Sequence, residues 1–576
     1  MLSGLLAAAA LLPMQALAKI EVIIPTVSEA IQTNVRAFLS LTRYAERDDV
    51  TDEVMGRLQR RIVTETRQAL EPLGYYEPEV SYDVQQDGEL WRVTIRIEPG
   101  RPVRLSEVNV DVTGPGAEDR AIREVLEAED IKPGLRLNHG TYERVKGGLV
   151  RTAKNEGYLD ARLTKHDLVI DRVARRANVD LEADTGPRYS FGEIQIAQDV
   201  IDDAAMRRLL RMQPGAPYTL DSLLRTQYVL DDTQYFSGVD IESGEPDRDT
   251  LTVPVTVSAE PSRKHRYAAS IGYGTDTEAR GKFTWDNRRV NRSGHKFKLE
   301  LLGSSIIKDL TGRYAIPVLD IALEKLEFTG TLREEELGDT FSQRAEVSTG
   351  LTQVLGRWQR VLQIRLSNET TTEATGSAST NFYMYPSISY ATMPSYIVGG
   401  KKRPYFFSAE LRGSPETLGS DASFLQLRTK GERIFDLNDQ WHLHLRGELG
   451  MTRIAAAGDL PASQRFFAGG EGSVRGFDLN ELSPSDGVDL ESSVGGSNLA
   501  TGTVEIVRDL PRNFGIAAFY DAGNAFESFS DPKLEYAAGV GLRYSIAVAS
   551  FGVDVAQALS ESGRSPRVHL YIATQF

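Results

Sequence analysis

The sequence predicts α+β repeats at the N-terminus, followed by an all-β transmembrane barrel of about sixteen antiparallel strands. Three observations support this fold class. Apolar and polar residues alternate with a period of two over much of residues 266–576. A pattern of helix and strand segments recurs three times between residues 19 and 262. Residues 1–18 carry no charged side chain. A strand with one apolar and one polar face suits a sheet that separates lipid from water.

The alternation is clearest in the last nine residues, from Val568 to Phe576. Even-numbered positions carry Val, Leu, Ile, Thr and Phe, whereas odd-numbered positions carry His, Tyr, Ala and Gln. The segment from Trp441 to Leu449 alternates in the same way, with histidine, arginine and glutamate on its polar face. A soluble sandwich, which would bury the apolar face, is the alternative. Residues 266–576 exceed the ~200–250 residues of one soluble all-β domain. At roughly 19 residues per strand and connection, they instead predict about sixteen membrane strands.

Residues 1–18 are expected to form a signal peptide. The segment has an apolar run and ends in Ala16-Leu17-Ala18, a sequence that suits cleavage by signal peptidase. A membrane anchor is the alternative, but Pro13 and Gln15 interrupt a run that is shorter than the ~20 apolar residues needed to span a bilayer. The chain contains no cysteine, which excludes disulfides and thiolate metal sites and fits an exported protein.

Three α+β segments follow, and each has a helical stretch that closes on a Gly-Tyr or Gln-Tyr element at the start of a strand. These elements are Gly74-Tyr75, Gly157-Tyr158 and Gln234-Tyr235. Each segment then ends in a strand and a turn that contains proline or glycine. We expect separate small domains at residues 19–100, 101–186 and 187–262, with the barrel at 263–576.

The helices of these repeats are expected to bury one face. Val54, Leu58 and Ile62 lie one turn apart, which predicts a buried stripe on the helix that contains them. A second amphipathic helix is predicted behind a capping threonine, with these residues: Thr219, Leu220, Leu223, Leu224 and Val229.

The segment from Phe466 to Phe477 is a glycine-rich loop between strands, and it holds one arginine, Arg475. Arginine keeps its charge in proteins and needs a carboxylate or water wherever it lies. The glycines allow the backbone to pass where a Cβ would clash. The candidate anchor residues of this loop are Gly470, Val474, Arg475, Gly476 and Phe477.

The sequence does not predict an enzyme. It lacks the Gly-x-Ser-x-Gly, phosphate-loop and His-Glu-x-x-His motifs. His442 and His444 share a strand face, but no third metal ligand is evident, and the preferred interpretation is that they line the lumen. The net charge of −15 argues against binding of nucleic acid. We therefore expect no catalytic residue, no cofactor, no metal and no nucleic-acid partner.

The chain resembles the superfamily of outer-membrane assembly barrels that carry periplasmic POTRA domains. The resemblance rests on the three repeats, the long barrel, the loop sequence Gly-Gly-x-x-Ser-Val-Arg-Gly-Phe and the C-terminal Phe576. The number of repeats and the sequence from Gly272 to His295 resemble the TamA family most closely. BamA proteins usually have five POTRA domains, and two-partner secretion transporters usually have two.

The resemblance implies POTRA domains in the periplasm and a barrel in the outer membrane of a Gram-negative bacterium. It implies assembly or insertion of β-barrel proteins such as autotransporters, with client outer-membrane proteins, outer-membrane lipid and a TamB-like, inner-membrane-anchored protein as partners. A polypeptide-transporting pore of the two-partner secretion type and a general BamA-like insertase are the alternatives. A passive porin would not need the periplasmic repeats.

The resemblance also implies that a loop at residues 454–497 folds into the barrel and that Arg475 meets an acidic wall. Period-two geometry places Phe519, Asp521 and Gly523 on one strand face, and Glu505 on the corresponding face of the preceding strand. A partly dehydrated guanidinium needs a carboxylate partner, so the charge argument agrees. The alternative is that Asp521 and Glu505 merely line a wet lumen.

The barrel is expected to close by pairing its first strand, Tyr267 to Thr275, with its last, Val568 to Phe576. Glycine lowers strand preference and offers no side chain for packing, so this seam is expected to be weak. A seam that opens would expose strand edges to a client protein. The candidate seam residues are Tyr267, Ile271, Gly272, Gly274, Val568, Leu570, Ile572 and Phe576.

Overall fold

The structure is a computed structural model of the chain. It describes residues 20–45, 51–88, 90–318, 320, 322–373, 375–393, 405–454, 459–485, 492–546 and 549–574. The predicted signal peptide at residues 1–18 and the predicted seam residue Phe576 lie outside the described residues.

The first repeat packs helices against a three-stranded sheet. Its strands lie in the order β1-β3-β2, with β1 parallel to β3 and β2 antiparallel to it. The longest helix begins where the Thr51 Oγ1 accepts a hydrogen bond from the Val54 amide, and it buries Leu58 and Ile62 as the spacing predicts. The elements are β1 Ile20–Ile23, α1 Glu29–Phe38, α2 Ser40–Tyr44, α3 Asp52–Leu70, β2 Glu79–Asp87 and β3 Leu90–Glu98.

The second and third repeats have the same topology, with sheet orders β4-β6-β5 and β7-β9-β8. The second repeat comprises β4 Arg104–Thr113, α4 Arg120–Ala128, α5 His139–Asn155, β5 Arg162–Asp171 and β6 Arg176–Asp184. The third comprises β7 Ser190–Ala197, α6 Asp203–Leu209, α7 Leu220–Asp232, β8 Phe236–Ser243 and β9 Thr252–Pro261.

The buried face of α7 differs from the predicted one. Leu220 and Leu224 are exposed, whereas Thr226 and Leu230 are buried. Residues four apart in sequence recur on the same face of a helix, so burial of Thr226 and Leu230 turns Leu220 and Leu224 outward. The predicted cap is present, because the Thr219 Oγ1 accepts a hydrogen bond from the Ser222 amide at 3.2 Å.

The Gly-Tyr and Gln-Tyr elements lie after the last α-helix of each repeat, and the first residue of each element has a left-handed backbone conformation. Gly74, Gly157 and Gln234 have φ angles of 87°, 96° and 59°. Strand β8 begins directly after its element, but β2 and β5 begin several residues later than predicted. Each element accepts a backbone hydrogen bond from a residue well downstream: Val103 to Gly74 at 2.8 Å, Tyr189 to Gly157 at 2.8 Å, and Ser262 to Tyr235 at 3.0 Å.

The chain divides into two compact units. One holds residues 1–195, 212–225 and 241–256, and the other holds residues 196–211, 226–240 and 257–576. This division runs through the third repeat, so the predicted domain limits stay predictions. Within the described residues, no helix is long and apolar enough to cross a membrane.

The predicted barrel is confirmed. Across the described residues, sixteen strands form a closed barrel in sequence order, each antiparallel to the next. The strands are β10 His265–Gly274, β11 Glu278–Asn287, β12 Lys296–Gly303, β13 Ile307–Pro317, β14 Lys325–Leu337, β15 Thr340–Leu355, β16 Trp358–Thr372, β17 Ala378–Thr392, β18 Tyr405–Ser414, β19 Phe424–Asp436, β20 Trp441–Ile454, β21 Asn498–Leu510, β22 Phe514–Phe526, β23 Glu535–Ile546, β24 Ala549–Ala558 and β25 Arg567–Thr574.

The two faces of the strands differ as period-two alternation predicts. On β22, Ile516 and Tyr520 are each 44% exposed, whereas Phe519 is 5% and Asp521 0% exposed. The first pair lies on the outer face, which a bilayer would cover, and the second pair faces the lumen.

Candidate functional site

The loop between β20 and β21 lies against the lumenal face of the barrel wall. Ile454 belongs to β20, so the loop begins one residue later than predicted. Two short bridges organise the loop, one between Phe466 and Gly496 and one between Ala468 and Leu482. Its apolar side chains are buried in one cluster with residues of the final strands: Phe466, Ala468, Val474, Phe477, Leu482, Leu499, Ala525, Ala537 and Ala558.

Two of the predicted anchor glycines permit close contact between the loop and its surroundings. Gly470 and Gly476 have φ angles of 85° and 97°, a conformation that other residues adopt at a cost. A Cβ at Gly470 would come within 2.6 Å of the Asp276 Oδ2, and a Cβ at Gly476 within 3.0 Å of the Ala558 amide nitrogen. The glycines therefore allow the loop backbone to lie directly on the end of the first strand and on β24.

The structure brings Arg475 together with both predicted acidic partners. Asp521 accepts a bidentate pair from the guanidinium, at 2.7 Å from Nε and 3.0 Å from Nη2, and also accepts from the Arg475 amide at 3.1 Å. Glu505 accepts from Nη1 at 2.8 Å. Arg475 is 4% exposed and Asp521 0%. Charge-assisted bidentate pairs of this kind combine strength with fixed geometry.

Two further lumenal residues complete the charge network, and sequence reasoning assigned no role to either. Asp554 of β24 accepts from the Arg475 Nη1 at 2.9 Å, and Arg543 of β23 forms an ion pair with Asp554 and contacts Glu505 at 3.2 Å. Two arginines thus face three carboxylates. The available signal was their position on the polar faces of β23 and β24, the two strands that follow β22, although the pattern alone did not indicate which polar residues converge.

The other two predicted lumenal partners act through packing. The Phe519 ring lies under the guanidinium, with its centroid 3.3 Å from the Arg475 Cζ, which adds a cation–π contact. Gly539 of β23 makes room for this ring, because a Cβ there would come within 2.4 Å of the Phe519 Cζ. Gly523 lies opposite Thr501, where a Cβ would come within 2.6 Å of the Ala500 carbonyl oxygen. Gly523 therefore allows β21 and β22 to approach each other closely.

Strands β10 and β25 close the barrel with little pairing. Among the described residues, their ladder consists of Gly274 opposite Tyr571, and the Thr275 amide donates to the Leu570 carbonyl oxygen at 3.3 Å. On its other side, β10 pairs with β11 along its whole length, from His265 opposite Asn287 to Gly274 opposite Glu278.

Within the described residues, the seam ladder is shorter than the sequence predicts. This ladder does not include Tyr267, although Tyr267 was predicted to lie in the seam. The described ladder also does not include the predicted residues Ile271, Gly272, Val568 and Ile572. Ile572 contributes in another way, since its carbonyl oxygen accepts from the Arg280 Nη2 at 3.1 Å.

Family comparisons agree with this architecture. Residues 364–576 match the Omp85 superfamily domain. Residues 21–99 match the POTRA domain described as TamA domain 1, and residues 189–261 match a POTRA family described as a surface antigen variable number repeat.

Two curated relatives are both described as outer membrane protein assembly factor BamA. The protein of Nitratidesulfovibrio vulgaris is 22% identical over 361 residues, which is 59% of this chain and 45% of the relative. The protein of Buchnera aphidicola is 20% identical over 241 residues, which is 41% of this chain and 38% of the relative. The chain therefore matches less than half the length of these relatives.

A solved structure shows the same fold. The crystal structure of BamA from Haemophilus ducreyi lacking POTRA domains 1-3 superposes with a TM-score of 0.64 at 15% sequence identity, covering 82% of this chain and 99% of that one. The barrel match, the two POTRA matches and this fold agree with one another. Residues 364–576 thus match the Omp85 superfamily domain, and two of the three repeats ahead of the barrel match POTRA families.

Proposed function

We propose that this protein is an outer-membrane assembly factor that inserts β-barrel clients, autotransporters among them, through a lateral seam between β10 and β25. The observation that carries the proposal is the short seam ladder, which contrasts with the full-length ladder between β10 and β11. The barrel would lie in the outer membrane of a Gram-negative bacterium, with the POTRA domains in the periplasm.

A weakly paired edge suits templated insertion for a physical reason. Backbone groups that lack partners inside a bilayer each cost several kcal/mol, so a strand edge in the membrane strongly favours a new partner. An incoming client strand can supply those hydrogen bonds and then present its own free edge to the next client strand. Pairing energy would drive the process, and no nucleotide is needed.

In this proposal the ion pairs of Arg475 stabilise the part of the barrel wall next to the seam. The guanidinium links the loop to carboxylates of three strands: Glu505 on β21, Asp521 on β22 and Asp554 on β24. Opening can then be confined to β10 and β25, whose described ladder is short.

The narrower proposal is a TamA-like role. It is supported by the match of residues 21–99 to POTRA domain TamA domain 1. Such a protein would work with a TamB-like, inner-membrane-anchored partner that spans the periplasm, and with outer-membrane lipid. Each POTRA sheet has edge strands, which can bind extended segments through main-chain hydrogen bonds.

A disulfide across the seam tests the proposal. The full chain with Gly274→Cys and Tyr571→Cys is reconstituted in phospholipid vesicles, and insertion of a urea-unfolded client barrel is measured before and after oxidation. These residues are Cα partners, so a bond should form without large backbone movement. We expect oxidation to abolish insertion and reduction to restore it. The natural chain has no cysteine to interfere.

A second pair controls for oxidation and crosslinking as such. Thr329 and Ser348 are Cα partners within the long ladder of β14 and β15, far from the seam in strand order. Their disulfide should leave insertion unchanged. If the seam-locked barrel inserts clients as well as the reduced one, the lateral-seam proposal is wrong. A large, steady conductance through vesicles would favour the polypeptide-transporting pore instead.

A further inference from the structure

Two buried side chains from either side of the seam meet beneath the in-folded loop. Asp276 follows the end of β10, and its side chain is 8% exposed. His569 lies in β25 and is 0% exposed. The His569 Nδ1 lies within ion-pair distance of the Asp276 Oδ1, at 3.5 Å, and neither atom has a hydrogen-bond partner among the described residues. The sequence pattern assigned no role to either residue.

The loop backbone binds both of these side chains. The Glu471 amide donates to the Asp276 Oδ2 at 2.7 Å, and the Gly476 amide donates to the His569 Nε2 at 3.2 Å. Because Nε2 accepts a hydrogen bond, the ring proton of a neutral imidazole lies on Nδ1, which faces Asp276. The loop, the first strand and the last strand are therefore joined by one chain of polar contacts.

The loop holds the last-strand side more firmly than the first-strand side. Arg564, in the turn before β25, donates to both carboxylate oxygens of Glu481 at 2.6 Å each and lies over the Phe477 ring at 4.8 Å. Arg567 of β25 forms an ion pair with Asp478 of the loop. On the first-strand side, the contacts described above converge on one carboxylate, that of Asp276.

We propose that Asp276 and His569 form a clasp that keeps the seam shut, and that Asp276 leaves the loop when a client arrives while the loop stays with the last strand. The proposal rests on the lateral-seam function above and identifies which side of the seam moves. Release of Asp276 exposes its carboxylate to lumenal water, which offsets part of the lost hydrogen bonding. Asp276 and His569 are positioning residues in this scheme.

The first test needs no client. A single reporter, Tyr571→Cys, is labelled with a maleimide in vesicles, with and without Asp276→Ala. Asp276→Ala removes the acceptor of the Glu471 amide and the partner of His569, so labelling at residue 571 should be about tenfold faster or more. Asp276→Asn keeps an acceptor for the Glu471 amide and should give an intermediate rate. An unchanged rate in Asp276→Ala would overturn the clasp.

Asp421 provides a matched control for removal of a carboxylate. Its Oδ2 accepts from the Phe382 amide at 2.6 Å, a contact that involves neither β10 nor β25. Asp421→Ala should leave labelling at residue 571 unchanged. Equal acceleration in both variants would show general loosening of the barrel and would also overturn the clasp.

The second test asks which side of the seam separates. One double-cysteine variant joins the loop to the first-strand side through Gly472→Cys and Thr277→Cys, and another joins the loop to the last strand through Asp478→Cys and Arg567→Cys. Gly472 is suited to the change, because a Cβ there meets no atom within 4 Å. Both variants are treated with the same short bifunctional thiol reagent before client insertion is measured.

We expect the first-strand crosslink to abolish insertion and the last-strand crosslink to leave it largely intact. The reverse result, or equal effects of the two crosslinks on an active protein, would contradict the proposed direction of opening. If the uncrosslinked chain inserts no client at all, the lateral-seam function fails. The labelling rates still decide whether the clasp holds the seam.

Discussion

At the residue scale, Arg475 shows how a buried charge can determine the position of a whole loop. A guanidinium removed from water is costly unless its donors are satisfied, and here its Nε and both terminal nitrogens have carboxylate acceptors. Lysine would keep the positive charge, but a single ammonium cannot reproduce the bidentate pair with Asp521 while also reaching Glu505 and Asp554. The chemistry of this site therefore requires arginine.

We predict that Arg475→Ala lowers the free energy of unfolding of the barrel by about 3–5 kcal/mol, the usual cost of breaking a buried ion pair. Arg475→Lys should recover only part of the loss. The folded full chain migrates on a gel as a compact band that heating converts to the unfolded form. The urea concentration at which this band is lost measures the change in the free energy of unfolding. Lys308→Ala is the control, because Lys308 is 74% exposed in its pair with Glu334 and should contribute about 1 kcal/mol or less. If Arg475→Ala is no less stable than Lys308→Ala, the loop-anchor interpretation is wrong.

At the element scale, the Gly-Tyr and Gln-Tyr elements act as backbone joints. In the first compact unit, the Gly157 carbonyl oxygen accepts from the Tyr189 amide, and its α-carbon lies so close to Tyr218 that a Cβ would approach the Tyr218 carbonyl oxygen to 2.3 Å. The obstacle is backbone, which cannot rotate away as a side chain can. The Gly-Tyr and Gln-Tyr elements thus recur in the sequence because each one accepts a backbone hydrogen bond from a residue further along the chain.

We predict that Gly157→Ala destabilises this joint. The left-handed backbone alone costs an L-residue about 1–2 kcal/mol, and the clash with Tyr218 adds to it. Limited trypsin digestion of the full chain should show faster cleavage around residues 150–190 than in the parent protein. Gly147→Ala is the matched control, because Gly147 lies within α5 with open space around it and alanine favours helices. If trypsin cleaves the Gly157→Ala and Gly147→Ala variants at the same rate, the role assigned to Gly157 is wrong.

At the scale of the whole molecule, the barrel is closed but its strand pairs are unequal. Strands β15 and β16 pair from Phe341 opposite Thr372 to Leu355 opposite Trp358, whereas the described ladder of β10 and β25 has one residue pair. Main-chain pairing holds a membrane barrel together, because the bilayer offers no competing water. The closing seam is therefore where we expect the barrel to open at least cost.

We predict a matching pattern of hydrogen exchange in the full chain in vesicles. Amides of β25 should exchange at least about tenfold faster than amides of β15 and β16, because local opening costs less where fewer hydrogen bonds must break. Oxidation of the cysteine pair at residues 274 and 571 should slow exchange in β25 selectively. Uniform protection around the barrel before oxidation would contradict a weak seam.

Much of the fold follows from local patterns. Side chains alternate across any strand, so period-two alternation predicts which face each residue occupies. In the structure Asp521 and Glu505 lie with Arg475 in the lumen, and Ile516 and Tyr520 are exposed on the outer face. The number of strands follows from the length of the segment and the thickness of a bilayer. The helix face of α7 was predicted wrongly, because tertiary packing buried Thr226 and Leu230 and left Leu220 and Leu224, two of the predicted residues, exposed.

The sequence by itself determined the order of the repeats, the presence of a barrel, the faces of its strands and the need of Arg475 for acidic partners. Only the tertiary structure decided that Asp554 and Arg543 join that site, that the described seam ladder consists of Gly274 and Tyr571, and that Asp276 meets His569. The physical reason is that alternation specifies which face of a strand a residue occupies. Its height in the barrel depends on the register of every strand pair between the first strand and the last, and that register emerges only when the sheet closes.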